Sequence, residues 1–513
     1  MGSRRATCVG HGSMHPMMKS DKQYLVAYGV CAIASLLPIW ASKYVPMVDL
    51  PQHAAQLSII MNLHDPTFGF EHTFTVEYFS PYVVTMAVSL FFAQFFGVLT
   101  ALKLTLSIAI LLWPFSLRVF LRKTHGDEWL SLLGFLFAYG HAFYWGLLPF
   151  EFAVPLGLLL LSLAVSYGER QANGKAAMLA AACTLLFFCH PSVFLYVTVI
   201  SVVFLWFRGR TWPERIRSLL PFLVPLPAVV AWLVTLQGHG GSMIVWPSAQ
   251  QVLRRLLIFP GLLFDVQPSG LLIVGSILSF GFLLFRDYKF RYSRALTVTT
   301  VFSVLVYLLV PVFVLRDGFL SERMTPFLAA LLLASCSPRD ESYLIRVKRV
   351  LTVLVIVVWM GSLTVRFALF SRDAGDIDSI VDAMRPRARA LGLIFDPSHQ
   401  VTPVLPFLHF VNWYQVAKGG VAKHSFAAYS FAHLARFKSP EEIEQYQHYD
   451  TLSRKPQLFD WEQESSFDYF VVRSRVDRKA MLFPETAGIL LVKQRGNWWL
   501  YANPRGQPRR EGH

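Results

Sequence analysis

The 513-residue chain is 54% apolar and only 15% charged, with a mean hydropathy of +0.45, whereas a soluble globular average is about 25% charged. This composition excludes an ordinary soluble enzyme and predicts an integral membrane protein. The formal charge of +15 is spread in short basic clusters between apolar runs, the pattern that orients helices in a bilayer, so nucleic-acid binding is set aside.

Residues 1–23 are polar and carry Arg4, Arg5, Lys19 and Lys22 ahead of an apolar run at 24–42. They read as a cytoplasmic N-terminal segment followed by an uncleaved first helix, because the run is long for a signal peptide and VPMVDLP is no small-residue cleavage site. The stretch 43–81 then gathers Asp49, His53, His64, Asp65, Glu71, His72 and Glu77. Ionisable groups held close to lipid are costly and mark reaction sites or pathways. This first outer loop is therefore the candidate functional mouth.

A crossing needs roughly 20 apolar residues. By that criterion spans lie near 24–42, 101–120, 129–146, 150–167, 175–189, 191–207, 218–236, 268–285, 295–315, 324–336 and 347–369, about eleven transmembrane helices. The further apolar run 82–97 is read as a short helix that does not cross. With it left out, the basic clusters around Arg118, Arg170, Arg208, Arg286 and Arg346 all fall inside with the N-terminus. Outside then lie the first loop, the LLPFE turn ending at Glu151, the His190-Pro191 turn, the loop 237–267 with Arg254 and Arg255, the loop Arg316–Arg323 and the tail. The inner loops carry no phosphate-cradling Walker A sequence.

The tail, 371–513, is more polar. DIDSIVDAMRPRARA reads as a helix, and LGLIF, DYFVVRS, GILLVKQ and WWLYAN read as strands, the last two joined by a hairpin turn at Arg495-Gly496-Asn497. At some 140 residues it is long enough for its own core, a soluble extracytoplasmic α/β domain. The five cysteines, Cys8, Cys31, Cys183, Cys189 and Cys336, avoid both the first loop and the tail. A disulfide framework is thereby excluded, and no metal spacing occurs among them.

One helix, a long outer loop with an acid soon after it (VDLPQH, 48–53), many further helices and an outer C-terminal domain together resemble the GT-C membrane glycosyltransferases. That group includes protein O-mannosyltransferases, lipid A aminoarabinose transferases and oligosaccharyltransferases. The resemblance spans most of 20–370 and adds Glu151 in the next outer turn. It implies transfer of a sugar from a polyprenyl-phosphate carrier to an acceptor on the outer face, with inversion, in a multi-pass cytoplasmic (inner) membrane protein. Its partners would be membrane lipids, the lipid-linked donor, and a cell-envelope glycan, lipid or protein as acceptor. Asp49 matches the family's first-loop acid and would be general base. Arg254, Arg255, Arg316 and Arg323 are the cations available to a leaving phosphate. The chain has no WWD-type motif and no pair of adjacent first-loop acids, so neither a cofactor nor a divalent metal is implied.

Each residue has a plainer alternative. Asp49 precedes Leu-Pro and suits a helix cap. His53, one turn on, either orients Asp49 or binds phosphate, or is only solvated at the interface. Glu77 suits an interfacial acid, Glu151 a helix N-terminus, His190 a turn, and Arg323 a lipid headgroup. A competing class is a transporter or flippase of a lipid-linked glycan, which inverted repeats would favour; none stands out in the sequence.

Overall fold

The computed structural model describes residues 15–505 apart from 210, 236–243, 265–278, 280, 315–316, 341, 429–432, 448–451 and 453. His15–Trp40 (α1) leads into the first loop, which holds Leu50–Met61 (α2), Phe74–Val76 (β1) and Val83–Ala93 (α3). Val98–Lys123 (α4), Leu148–Glu169 (α5), Asn173–Cys189 (α6) and Pro191–Arg208 (α7) follow, then Ala249–Phe264 (α8), Arg294–Leu309 (α9), Leu320–Ala334 (α10) and Tyr343–Ala374 (α11). At about 1.5 Å per residue the 26-residue α4 spans some 39 Å, enough for a hydrocarbon core of about 30 Å.

Among the described residues five helices are long and apolar enough to cross a membrane, or six with the pair Trp212–Leu223 and Leu226–Thr235, which is bent by 45°. Three predicted spans, α6, α9 and α10, have 17, 16 and 15 residues. Of the predicted span 268–285, only 279 and 281–285 fall within the described residues, and these are helical. The predicted single helix 129–146 is instead three pieces, Glu128–Leu133, Gly134–Phe137 and His141–Trp145. Gly134 keeps helical geometry (φ −56°, ψ −28°), and the helix is interrupted at Gly140, where the backbone is extended (ψ −165°). A Cβ on Gly134 would stand 2.9 Å from the Pro114 backbone and one on Gly140 2.8 Å from the Leu262 carbonyl, while Gly146 has φ +80°. With 11 residues, about 16 Å, α3 is shorter than a hydrocarbon core of about 30 Å.

Side-chain pairs align the helices end for end. At one end Arg118 meets Asp21 (3.2 Å) and Glu128 (2.9 Å), Lys348 meets Asp287 (2.7 Å), and Arg349 lies 3.5 Å from Asp127. At the other, Trp40 donates to Ser107 (3.0 Å) and the Tyr44 amide to Ser371 (3.0 Å). The basic clusters of α4, the segment before α9 and the start of α11 thus share one end of the bundle, and the first loop occupies the opposite end.

Beyond α11 the chain forms the short helices Asp376–Asp382 (α12) and Asn412–Lys418 (α13), and the strands Arg389–Ile394 (β2), Val421–Ala422 (β3), Ala435–Phe437 (β4), Tyr469–Arg473 (β5), Leu490–Arg495 (β6) and Trp498–Ala502 (β7). One five-stranded sheet runs β6-β7-β5-β2-β3, parallel across β5, β2 and β3 and antiparallel across β6, β7 and β5. The four apolar runs read as strands are strands here, and Gly496 at φ +52° makes the hairpin turn. The predicted helix from 376 stops at Asp382. Arg385 precedes a proline, which disfavours helical geometry there, and Arg387 turns the chain at φ +58°.

The first loop docks on this sheet-bearing segment. β1 pairs antiparallel with β4, Phe74 opposite Phe437, and the Gly420 amide donates to the Phe68 carbonyl at 3.0 Å. Phe70, Phe74, Leu391, Leu393, Phe437 and Phe470 share one buried cluster.

Candidate functional site: the N-terminus of helix α2

Pro51 suits the first turn of a helix, since its fixed φ is already helical and its missing N–H has no partner there. The helix therefore begins just after Asp49. Asp49 occupies the N-cap position, yet its side chain makes no capping hydrogen bond. The carboxylate is only 16% exposed, and its Oδ1 lies 3.3 Å from Nε2 of His409. The helix-cap alternative thus accounts for the residue's place in the chain and leaves its carboxylate unexplained.

Two backbone bonds fix Asp49 against the turn that leads into α5. Its amide donates to the Trp145 carbonyl (3.1 Å), and the Val48 amide to the Tyr144 carbonyl (2.9 Å). At Gly146 a Cβ would stand 2.6 Å from the Asp49 nitrogen. Only glycine allows this approach at a positive φ.

The next turns of α2 face the C-terminal segment. Gln52 donates to the His424 carbonyl and accepts from the Phe426 amide (3.0 Å). Gln56 repeats the arrangement one turn on, donating to Ala435 O (3.0 Å) and accepting from Ala435 N (2.9 Å). Amides at i and i+4 share a helix face, so two side chains satisfy four buried backbone groups. His53 hydrogen-bonds the Gly146 backbone; burial pushes its imidazole down to about 4, against the opposing pull of Asp49 and that bond. His53 is accordingly neutral at pH 7.

Around His53 the rings of two segments close a small chamber. His53 faces Phe426 (5.4 Å) and His433 (6.2 Å), Phe426 stacks on His433 (4.2 Å), and Tyr82 meets both His433 (5.5 Å) and His190 (5.1 Å). A pocket opens here between α2, α3, α4, the start of α5 and residues 433–434, bordered by His53, Tyr82, Thr85, Ser89, Pro149 and His433 among others. His53, one turn from Asp49, is the α2 residue on its border. Burial lowers the pKa of His433, aided by His53 and Arg436, and burial also lowers that of His424, aided by Lys423 and His409. Among the described residues no group of three or more His, Cys, Asp or Glu is placed to hold a metal ion.

No protein-family model matches the chain, and no curated protein matches it either. Solved structures do. ArnT from Cupriavidus metallidurans in the apo state superposes with a TM-score of 0.51 at 13% identity, covering 96% of this chain and 100% of that one. The chain has a GT-C fold. The mycobacterial arabinofuranosyltransferase AftD (TM-score 0.45, 15% identity) is covered over 40% of its length by 94% of this chain. For the Archaeoglobus fulgidus oligosaccharyltransferase the values are 0.40 and 11%, over 86% of this chain and 68% of that one.

Within this GT-C fold the other predicted residues are spread unevenly. Glu151 lies in the first turn of α5, buried, its amide on the Leu147 carbonyl (2.9 Å). His190 separates α6 from α7, with its Nδ1 3.0 Å from Ser192 Oγ and its ring on Tyr82 and Phe150. Arg323, buried in α10, is near enough for its charge to act on His190. Glu77 is exposed; its amide donates to the Leu434 carbonyl (2.8 Å) and its charge faces Arg436.

The α8 arginines part company. Arg254 is exposed, whereas Arg255 is buried and its Nη1 donates to the carbonyls of Tyr307, Leu308 and Val310 at the end of α9. This is a helix C-cap by a cation. Arg316 lies outside the described residues. Sequence reasoning missed His409, Phe426 and His433. Their one local signal is a histidine set among apolar and aromatic residues (FLHFVNWY, SFAAYSFAHL), which says nothing about a partner more than 300 positions away.

Proposed function

We propose that this protein is a membrane glycosyltransferase that moves a sugar from a polyprenyl-phosphate carrier to a cell-envelope acceptor, with Asp49 as general base. The observation that carries the reading is the Asp49 carboxylate. It stands at a helix start without capping it, partly exposed, beside a histidine and one helical turn from His53, which borders a ring-lined pocket. In the reaction the acceptor hydroxyl gives its proton to Asp49 while its oxygen bonds to the anomeric carbon. The bond from that carbon to the carrier phosphate breaks, and the phosphate leaves with the electron pair. Arg323, near His190, supplies positive charge at the same end of the bundle, with Glu151 as a second acid there.

The positive-inside tendency puts the basic end of the bundle in the cytoplasm and the sheet outside. Counting the broken segment 128–145, the bent pair, the three shorter helices and the predicted 268–285 as crossings restores eleven passes. On this reading the C-terminal sheet is an extracytoplasmic domain, the N-terminus is cytoplasmic, and the protein sits in the inner membrane.

The test is transfer of label from radiolabelled polyprenyl-phosphate sugars to endogenous envelope material, in membranes containing wild type or Asp49→Asn. Removing a general base lowers the rate roughly 100- to 10,000-fold. A wild type that transfers nothing from any donor, while cells still need it to move lipid-linked sugar outward, overturns the enzyme in favour of a flippase.

A further inference from the structure

We propose that His409, contributed by the C-terminal segment, is the positioning residue of Asp49, so that the candidate site is complete only when that segment is docked on the first loop. This rests on the reading of Asp49 as base. His409 is buried at 2% exposure, and Nε2 reaches Asp49 Oδ1 at 3.3 Å. Its backbone is fixed from both sides. The His409 carbonyl accepts from the Asn412 amide (3.0 Å) and from Asn412 Nδ2 (3.1 Å). Phe407 packs on Phe370 at the end of α11 (5.2 Å), and Phe410 packs on Tyr44 of the first loop (5.7 Å). The histidine therefore bridges three parts of the chain: the end of the last long helix, the start of the first loop and the sheet.

A donor held at Oδ1 positions a base: it fixes the carboxylate's orientation, which leaves Oδ2 as the oxygen that takes the acceptor's proton. The forks of Gln52 and Gln56, three and seven residues after Asp49, hold the same two segments together. Thus the tail, placed far from the first loop in sequence, supplies an orienting group to a carboxylate in that loop. Among the charged and titratable groups bearing on His409 are Asp49 from the first loop and His424 from the strand-end loop.

The test uses full-length protein in native membranes and two readouts. The first is label transfer, as above, for wild type, His409→Leu and His409→Gln; Gln keeps an N–H donor near the position of Nε2. His409→Leu is expected to lower kcat about 100-fold, the cost of misplacing a catalytic group by about 1 Å, with KM for the donor unchanged. His409→Gln is expected to restore most of the rate. The second readout needs no turnover: modification of Asp49 by a carbodiimide at pH 6, quantified by mass spectrometry against Glu71, which is 57% exposed and serves as internal standard. A carboxyl released from its partner is more open to the carbodiimide, so loss of the 3.3 Å contact at Oδ1 raises labelling of Asp49 several-fold in His409→Leu, and labelling stays near wild type in His409→Gln. Unchanged Asp49 labelling in His409→Leu overturns the proposal, whatever the rates. Raised labelling with no transfer by wild type keeps the coupling of His409 to Asp49 and overturns the glycosyltransferase reading instead.

Discussion

The two ends of the helical bundle are held by different chemistry. At the basic end, carboxylates meet cations directly: Asp21 and Glu128 meet Arg118, Asp287 meets Lys348, and Asp127 meets Arg349 while also accepting from Tyr288 at 2.6 Å. At the end that carries α2 an ion pair also joins the first loop to the tail, Lys43 to Asp378 (2.6 Å), but the joints nearest Asp49 are neutral groups: two glutamine forks, a two-strand pairing and a set of stacked imidazole and phenyl rings. The acid at the centre of that end, Asp49, has a histidine for its neighbour. At the basic end each of these acids is paired with a cation; at the other, Asp378 is paired in the same way, while Asp49, set among neutral joints, is met by a histidine and on the proposed reading is the acid that takes the proton.

The largest expected effect on this contrast is the loss of two to four orders of magnitude in transfer rate in Asp49→Asn, since a general base contributes roughly 100- to 10,000-fold. Next comes Gly146→Ala. Its Cβ would meet the Asp49 nitrogen at 2.6 Å and its φ of +80° disfavours any side chain. A backbone strain of about 1–3 kcal/mol is expected, read as a lower melting temperature together with reduced transfer.

Acid acts on the same end. The folded state depresses the pKa of His53, His424 and His433. Unfolded histidine binds its proton near pH 6.5, so as pH falls below that value the unfolded chain takes up protons that the folded chain refuses. Stability is therefore full above about pH 6.5 and falls toward about pH 4, where His53 titrates, by up to about 1.4 kcal/mol per pH unit for each histidine. Limited proteolysis across pH 4.5–7.5 is expected to release the C-terminal segment first at the acid end; uniform resistance throughout would contradict the neutral state of these rings. The smallest effect is expected at the other end. Arg122→Ala removes a 3.3 Å pair with Glu128 in which the arginine is 61% exposed. Such exposed pairs contribute about 0.2–1 kcal/mol, with no change expected in transfer rate.

Much of the fold was legible because its signals are local. Apolar run length marked α1, α4, α5, α7 and α11, alternation marked the strands of the sheet, and Gly496 marked its turn. The broken stretch 128–145 was not legible. Its composition is that of a helix, and the extended backbone at Gly140 sits where a Cβ would meet the Leu262 carbonyl at 2.8 Å, a neighbour supplied by another helix. The same reason divides the site. Asp49 stood out as an acid between two apolar runs, and His53 followed one turn later. Arg255 stood out as well, yet its guanidinium is spent on the end of α9. His409 and His433 carry no mark in the sequence, because what makes them notable is the antiparallel docking of β1 on β4 and of α2 on the tail.

The most direct measurement compares the two ends in one assay: transfer from a panel of radiolabelled polyprenyl-phosphate sugars by membranes holding equal amounts of wild type, Asp49→Asn or Arg122→Ala. Asp49→Asn is expected to lose transfer and Arg122→Ala to keep it. Equal transfer by Asp49→Asn and wild type would contradict the assignment of Asp49 as the base.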